Sequence, residues 1–130
     1  MIDLSRYTEP KPRRLRLICW RVLNATLFPL LPNAGRCLLL RLFGAAIGKS
    51  LICRSVRIHA PWLLRVGNLS CVGPRVELYN KAPITLGDDT VISQGAYLCT
   101  ASHDVSSPVM ALTTAPIALG NGCWLSLIHI

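Results

Sequence analysis

Apolar residues in the C-terminal two thirds of this chain recur every six positions, a period that fits neither a helix nor a simple alternating strand. The pair aliphatic–Gly occurs at Ile47-Gly48, Val66-Gly67, Val72-Gly73, Leu86-Gly87 and Leu119-Gly120. Steps of six join Val66, Val72, Leu78 and Ile84 in one phase. Leu86, Ile92 and Leu98 form a second phase offset by two, and Leu119 and Leu125 a third. Small and polar residues fill the gaps, as in "VGNLSC", "LGDDTV" and "LGNGCW".

This spacing predicts a mainly β fold, a left-handed parallel β-helix built from hexads. Six residues make one flat side of a triangular coil, and three sides make a turn of about 18 residues. The aliphatic residue points inward, and the neighbouring Gly sits where the next coil approaches closely. Stacked coils pair as parallel strands, each burying the aliphatic residues of the next. The left-handed winding departs from the usual right-handed crossover. An ordinary Val/Leu/Gly-rich β domain is the competing reading, and five dipeptides with hexad extensions outweigh it. The rhythm breaks between Leu98 and Leu119, and an excursion from a regular solenoid is where function concentrates. His103 and Asp104 stand at its start.

The N-terminal third has a different period. Leu15, Ile18, Cys19, Val22 and Leu23 follow helical spacing and predict the apolar face of a helix. Arg13, Arg14, Arg21 and Asn24 fall on the other side, with Leu17 and Trp20. Pro29 and Pro32 end this helix, and a second is expected over Arg36 to Phe43, stopped by Gly44. The apolar run from Leu17 to Leu31 is too short and too polar for a membrane span, and "PLLPNAG" is a poor cleavage site. The chain therefore divides into a basic helical segment, 1–45, and a β-helix domain, 46–130.

Charge sharpens this division. The formal net charge is +8, but residues 1–65 carry +10, with twelve Lys/Arg against Asp3 and Glu9. Residues 66–130 carry −2. A basic face of this kind suits an anionic surface, phospholipid before nucleic acid, since no zinc-finger spacing or RNP-type motif occurs. The first helix is then either interfacial, with its arginines among lipid head groups, or packed on the domain with a solvated basic face. With 52% hydrophobic and 15% charged residues the chain is not disordered. Its six cysteines include no C-x-x-C, so reduced thiols in a cytoplasmic protein are expected.

The residues alone leave His103 open as a base, a ligand or a solvated loop histidine. His59, His103 and His129 lack ligand spacing, so no metal is expected. Cys99, four residues before His103, suggests a Cys–His pair but occupies a small-residue position of a hexad. Trp62 and Trp124 read as packing residues.

The segments "LLRLFGAAIGKS", "IHAPWLLRVGN", "VGPRVELYNKAPITLGDDTVISQGAYLCTASHD" and "APIALGNGCW" resemble the hexapeptide-repeat O-acetyltransferases. Within these the chain is most similar to the colanic acid biosynthesis acetyltransferases, relatives of the maltose and galactoside acetyltransferases. The likeness covers roughly residues 14–125 and is most specific in "YNKAPI…ISQGAYLCTASHD".

The resemblance implies transfer of an acetyl group from acetyl-CoA to a sugar hydroxyl in surface-glycan synthesis. It implies a homotrimer with active sites between neighbouring prisms, His103 as general base, and Tyr79 and Asn80 at the sugar acceptor. Asp104 is expected to orient the imidazole or touch substrate. The chemistry is apt: an imidazole can take the hydroxyl proton as the oxygen attacks the thioester, then protonate the departing thiolate. Donors for the oxyanion would be backbone N–H groups or a side-chain amide. A cytoplasmic enzyme at the inner face of the membrane is expected. The family's later coils, with most of its CoA groove, do not follow "GNGCW". Leu127, Ile128 and Ile130 stand where small and polar residues belong, which reads as a C-terminal truncation with a foreign tail from about Leu125 or Ser126. The alternatives are a non-catalytic β-helix assembly module and an N-acetyltransferase acting on an amino or nucleotide sugar.

Overall fold

The structure is a computed structural model and describes residues 14–127. Asp3, Glu9, Arg13, Ile128, His129 and Ile130, named above, lie outside the described residues. Helix α1 (Arg14–Thr26) leads through a 3-10 turn at Phe28–Leu30 into helix α2 (Asn33–Leu42). Gly44, at φ +97°, ends α2 as expected.

The first coil holds β1 (Ala46–Ile47), β2 (Leu51–Ile52) and β3 (Arg57–Ile58). The second holds β4 (Leu64–Val66), β5 (Cys71–Val72) and β6 (Glu77–Tyr79). The third holds β7 (Ile84–Leu86), β8 (Val91–Ile92) and β9 (Tyr97–Cys99). A hairpin of β10 (Ala101–His103) and β11 (Leu112–Thr114) then leaves the prism, before β12 (Ile117–Leu119) and β13 (Trp124–Leu125) rejoin it. Three parallel sheets form the sides, ordered β1-β4-β7-β12, β2-β5-β8-β13 and β3-β6-β9. This is the parallel β-helix that the hexads predict.

The coil is longer than expected. Cys71 pairs with Val91 and Glu77 with Tyr97, so the coil between them exceeds three hexads by one pair of residues, and the step from Ile47 to Val66 is one residue shorter than that. The extra pair lies on the first side, where Leu64 and Val66, then Ile84 and Leu86, both point inward. The phase offset of two between Ile84 and Leu86 is this longer side. Val66 pairs with Leu86 across one plain coil, whereas the next partner in that column is Leu119. The excess of the second step over the first is the excursion that carries the hairpin.

Inside the prism, Ile52, Val72 and Ile92 stack in one column and Ile58, Leu78 and Leu98 in another, all buried. Each such side chain contributes about 1.5–3 kcal/mol by leaving water. The aliphatic–Gly pairs work as predicted at the corner: a Cβ on Gly67 would stand 2.6 Å from the carbonyl carbon of Gly87 in the next coil. Hydroxyls form a buried ladder at another corner. Ser50 Oγ accepts from Ser70 N at 3.0 Å, and Ser70 Oγ from Thr90 N at 3.0 Å.

The helices close the first coil, and here the helix-face expectation fails. Leu15, Ile18 and Val22 are 76%, 57% and 56% exposed, and Cys19 is exposed too. The buried side of α1 carries Trp20, packed against the rings of Phe28 and Phe43. The reason lies in the coil edge. The first coil presents backbone groups with no coil beneath them, and such groups need partners. Trp20 Nε1–H donates to the Ile58 carbonyl at 2.6 Å. Asn24, one turn on, accepts from Ile58 N at 3.1 Å, and Asn33 accepts from Ile52 N at 2.9 Å. Arg36 Nε donates to the Ile52 carbonyl at 2.8 Å and Arg41 Nη2 to that of Ile47 at 2.8 Å. Hydrogen-bonding demand, not aliphatic area, chose the face. Trp124 also departs from expectation. It is 74% exposed and makes a hydrogen bond to Ser93 Oγ instead of packing.

Candidate active site

Of the expected site residues, Tyr79 stands on the outer face of the β3-β6-β9 side, whereas His103 and Asp104 stand on the hairpin and line no part of the cavity beside it. Side chains alternate along each strand. Because Ile58, Leu78 and Leu98 point inward, Arg57, Glu77 and Tyr97 form one outward column. Tyr79 and Cys99 belong to a second, which His59 extends one coil back, its N–H donating to the Leu78 carbonyl at 3.0 Å. The His59 and Tyr79 rings stand 4.8 Å apart, tilted by 55°. Lys81 Nζ lies 5.6 Å from the centre of the Tyr79 ring, within cation–π range.

A cavity of about 300 Å³ opens beside this ring pair. Leu17 and Arg21 of α1 form one wall, His59, Tyr79 and Lys81 another, and Leu112 and Thr114 of the hairpin a third. Trp62 also lines it, its ring covered by the Arg16 guanidinium at 4.5 Å. Asn80 lines the cavity too, but its side chain is buried and engaged: Oδ1 accepts from Ala60 N at 2.8 Å, and Nδ2 donates to the Ala60 carbonyl at 2.7 Å. The amide ties two coils together at the corner. Tyr79 is the member of the expected acceptor pair that faces open space.

His103 stands on the hairpin wall. Its cross-strand partner is Leu112, and Ala101 pairs with Thr114. Directly opposed residues share a face of a hairpin, so His103 lies on the face whose Leu112 and Thr114 line the cavity. The ring itself is exposed. His103 Nδ1 sits 2.7 Å from the Met110 carbonyl. A carbonyl only accepts, so Nδ1–H is the donor here, and in the neutral imidazole the lone pair lies on Nε2. Asp104 does not orient this ring. Its Oδ1 accepts from Ser106 N at 2.9 Å and Ser106 Oγ at 2.6 Å, and the Ser106 hydroxyl bond lowers its carboxyl pKa. Asp104 shapes the loop, and the loop carbonyl of Met110 orients the imidazole. Cys99 is exposed in the Tyr79 column, with its thiol directed to the Ala101 carbonyl at 3.1 Å rather than to His103.

Sequence reasoning missed His59, Lys81 and Arg21. The signal for His59 was present, since it stands one coil before Tyr79, but the spacing becomes visible only once the coil length is known. Arg21 comes from a separate helix, and no local pattern places it here.

The chain is similar to "Putative colanic acid biosynthesis acetyltransferase WcaF" of Escherichia coli (strain K12), with 42% identity covering 97% of this chain and 74% of that protein. The chain belongs to this acetyltransferase family. The protein of the same name from Shigella flexneri matches with the same identity and the same coverage. Among solved structures, a hexapeptide-repeat-containing acetyltransferase from Vibrio cholerae superposes with a TM-score of 0.77, covering 88% of this chain and 68% of that one at 23% identity. That likeness speaks for the β-helix alone. No protein-family model matches the chain.

Proposed function

We propose that this acetyltransferase moves an acetyl group from acetyl-CoA to a sugar hydroxyl in surface-glycan biosynthesis, with His103 as general base. The observation that carries the reading is the Met110 carbonyl on His103 Nδ1, which leaves Nε2 as the basic atom of a ring on the cavity-facing side of the hairpin. A hydroxyl beside Tyr79 would pass its proton to Nε2 as its oxygen attacks the thioester carbon. The same proton then goes to the departing sulfur, and no covalent enzyme intermediate is needed when both substrates are held together. Acetyl-CoA is the acetyl donor in this reading, and no residue among 14–127 is assigned to it.

The reading takes the enzyme as a homotrimer of two-part chains, residues 1–45 and 46–130, each site completed by a neighbouring prism. The exposed ring of His103, on a hairpin standing off its own prism, supports that arrangement. A cytoplasmic site of action fits the acetyl-CoA supply. The exposed Leu15, Ile18 and Val22 beside Arg14 and Arg21 support contact with the membrane face. No helix of the described residues is long and apolar enough to cross a membrane.

The test is thiol release from acetyl-CoA against a panel of neutral, amino and phosphorylated sugars. His103→Ala should lower kcat/KM by roughly 10²–10⁴-fold with little change in KM. Unchanged turnover in that variant refutes the assignment. A product acetylated on nitrogen redirects the reading to amine acceptors.

A further inference from the structure

Seven of the nine described arginines fall into two sets, and Arg14 and Arg65 belong to neither. Those of the first are engaged by the fold itself. Arg16 donates to the Phe43 carbonyl and lies over Trp62. Arg36 donates to the Ile52 and Leu31 carbonyls, and Arg41 to those of Ile47 and Gly48. The second set is Arg21, Arg54, Arg57 and Arg75. Among the described residues their guanidinium groups have no hydrogen bond or ion pair. All four line one groove of about 820 Å³ between α1 and the β3-β6-β9 side. Glu77, opposite Arg57 in the β3–β6 ladder, is the sole acid among the described lining residues. Four guanidiniums against one carboxylate leave the groove strongly positive.

The groove adjoins the candidate acceptor cavity. Arg21, His59 and Tyr79 line both, so the ring pair stands at the junction between them. The backbone of Arg75 adds a second observation. Its φ is +57°, in the left-handed region that favours glycine, and its counterpart one coil later is Gly95 at +72°. Here the chain carries a guanidinium where glycine would sit without strain.

Guanidiniums gathered on one groove suit phosphate and diphosphate oxygens, which accept their paired N–H donors. We propose that this groove holds the phosphoester of the acceptor, so that the substrate is a sugar bearing a phosphate or diphosphate rather than a neutral sugar. The inference deepens the acetyl-transfer reading and relies on it for the sugar alone. The anion site rests on the groove. The diphosphate could join the sugar to a nucleoside or to a prenyl lipid, since both present the same oxygens at the junction.

Inorganic pyrophosphate is the first probe, titrated calorimetrically into the full chain at two salt concentrations. Binding should weaken as salt rises. Arg75→Gly, which relieves the positive φ, and Arg54→Gln should each weaken it roughly tenfold. His103→Ala should bind pyrophosphate as the parent does, which separates failure of the anion site from failure of the general base. In thiol release, a uridine diphosphate sugar and a prenyl diphosphate sugar in phosphatidylcholine vesicles should each be compared with the free sugar. A higher kcat/KM for either, lost in Arg75→Gly, supports the proposal, and the preferred arm names the source. Four results overturn it: arginine variants that bind like the parent, a free sugar as good as both esters, pyrophosphate displaced by CoA in place of the acceptor, or phosphatidylglycerol vesicles bound through these arginines without competition from pyrophosphate.

Discussion

The first and the last described coils of the prism are built from the same hexads and have different surroundings. At the first coil, Ile47, Ile52 and Ile58 are buried beneath α1 and α2, and the coil edge hands its backbone groups to Trp20, Asn24, Asn33, Arg36 and Arg41. At β12 and β13, Ile117, Leu119 and Leu125 occupy the same inward columns and are only half-buried. Among the described residues, a Cβ on Gly120 would meet nothing within 4 Å, whereas one on Gly87 would come within 2.6 Å of the Gly120 carbonyl carbon. The hexad specifies which way a side chain points. Whether that side chain leaves water depends on what lies on the next layer, and this dependence on neighbours is the energetic signature of a solenoid.

The strongest way to break this contrast is a pair of tryptophan truncations. Trp20→Ala removes a fully buried indole and a hydrogen bond to the coil edge. It should cost about 3–5 kcal/mol in urea unfolding, whereas Trp124→Ala should fall within about 0.5 kcal/mol of the parent. Equal losses would mean that the helices do not cap the prism. The glycine corners give a smaller and sharper test. Gly87→Ala forces a methyl against the next coil and should cost about 1–3 kcal/mol. Gly120→Ala should leave the thermal midpoint nearly unchanged, and a matching drop in both would show that Gly120 is as tightly covered as Gly87.

The smallest effect concerns the hairpin, which relies on local hydrogen bonds more than on burial. Asp104 is held by Ser106, and its folded pKa is lowered. A lowered carboxyl pKa means that the ionised form favours the ordered loop. Its contribution is therefore complete above the ordinary carboxylate range and is lost as pH falls through the folded value. Protection of the Ser106 amide, measured against its intrinsic exchange rate, should fall across that acid window in the parent and show no such step in Asp104→Asn. Exchange at Ile52 and Ile58, under the helical cap, should not follow it. A step at Ile52 of the same size would tie the hairpin to the capped end and blur the two regions into one.

Much of the architecture was legible along the chain. Val66, Val72 and Leu78, and then Leu86, Ile92 and Leu98, declare their inward columns because a hexad with one aliphatic residue can bury it in one way only. The coil length was misread because the extra pair on the first side fills inward positions with more aliphatics, Leu64 beside Val66 and Ile84 beside Leu86. They extend the pattern without visibly breaking it. The α1 face was misread because periodicity records apolar area and is silent on the hydrogen bonds demanded by another element. The site was partly legible. The break in rhythm drew attention to the excursion and to His103 and Asp104, while the family resemblance supplied Tyr79, Asn80 and the role of His103 as base. The geometry then gave Asn80 to Ala60 and Asp104 to Ser106.

The sequence by itself determined the β-helix, the place where the chain leaves it and the uneven charge, because these follow from local spacing and composition. Only the tertiary structure decided what stands together. His59 and Tyr79 meet because one full coil returns the chain to the same column, and Arg21 joins Arg54, Arg57 and Arg75 because a helix is laid against a coil edge that needs its Trp20 and Asn24. Contacts between residues far apart in the chain arise from how layers satisfy one another, and that information lies in no single stretch of residues.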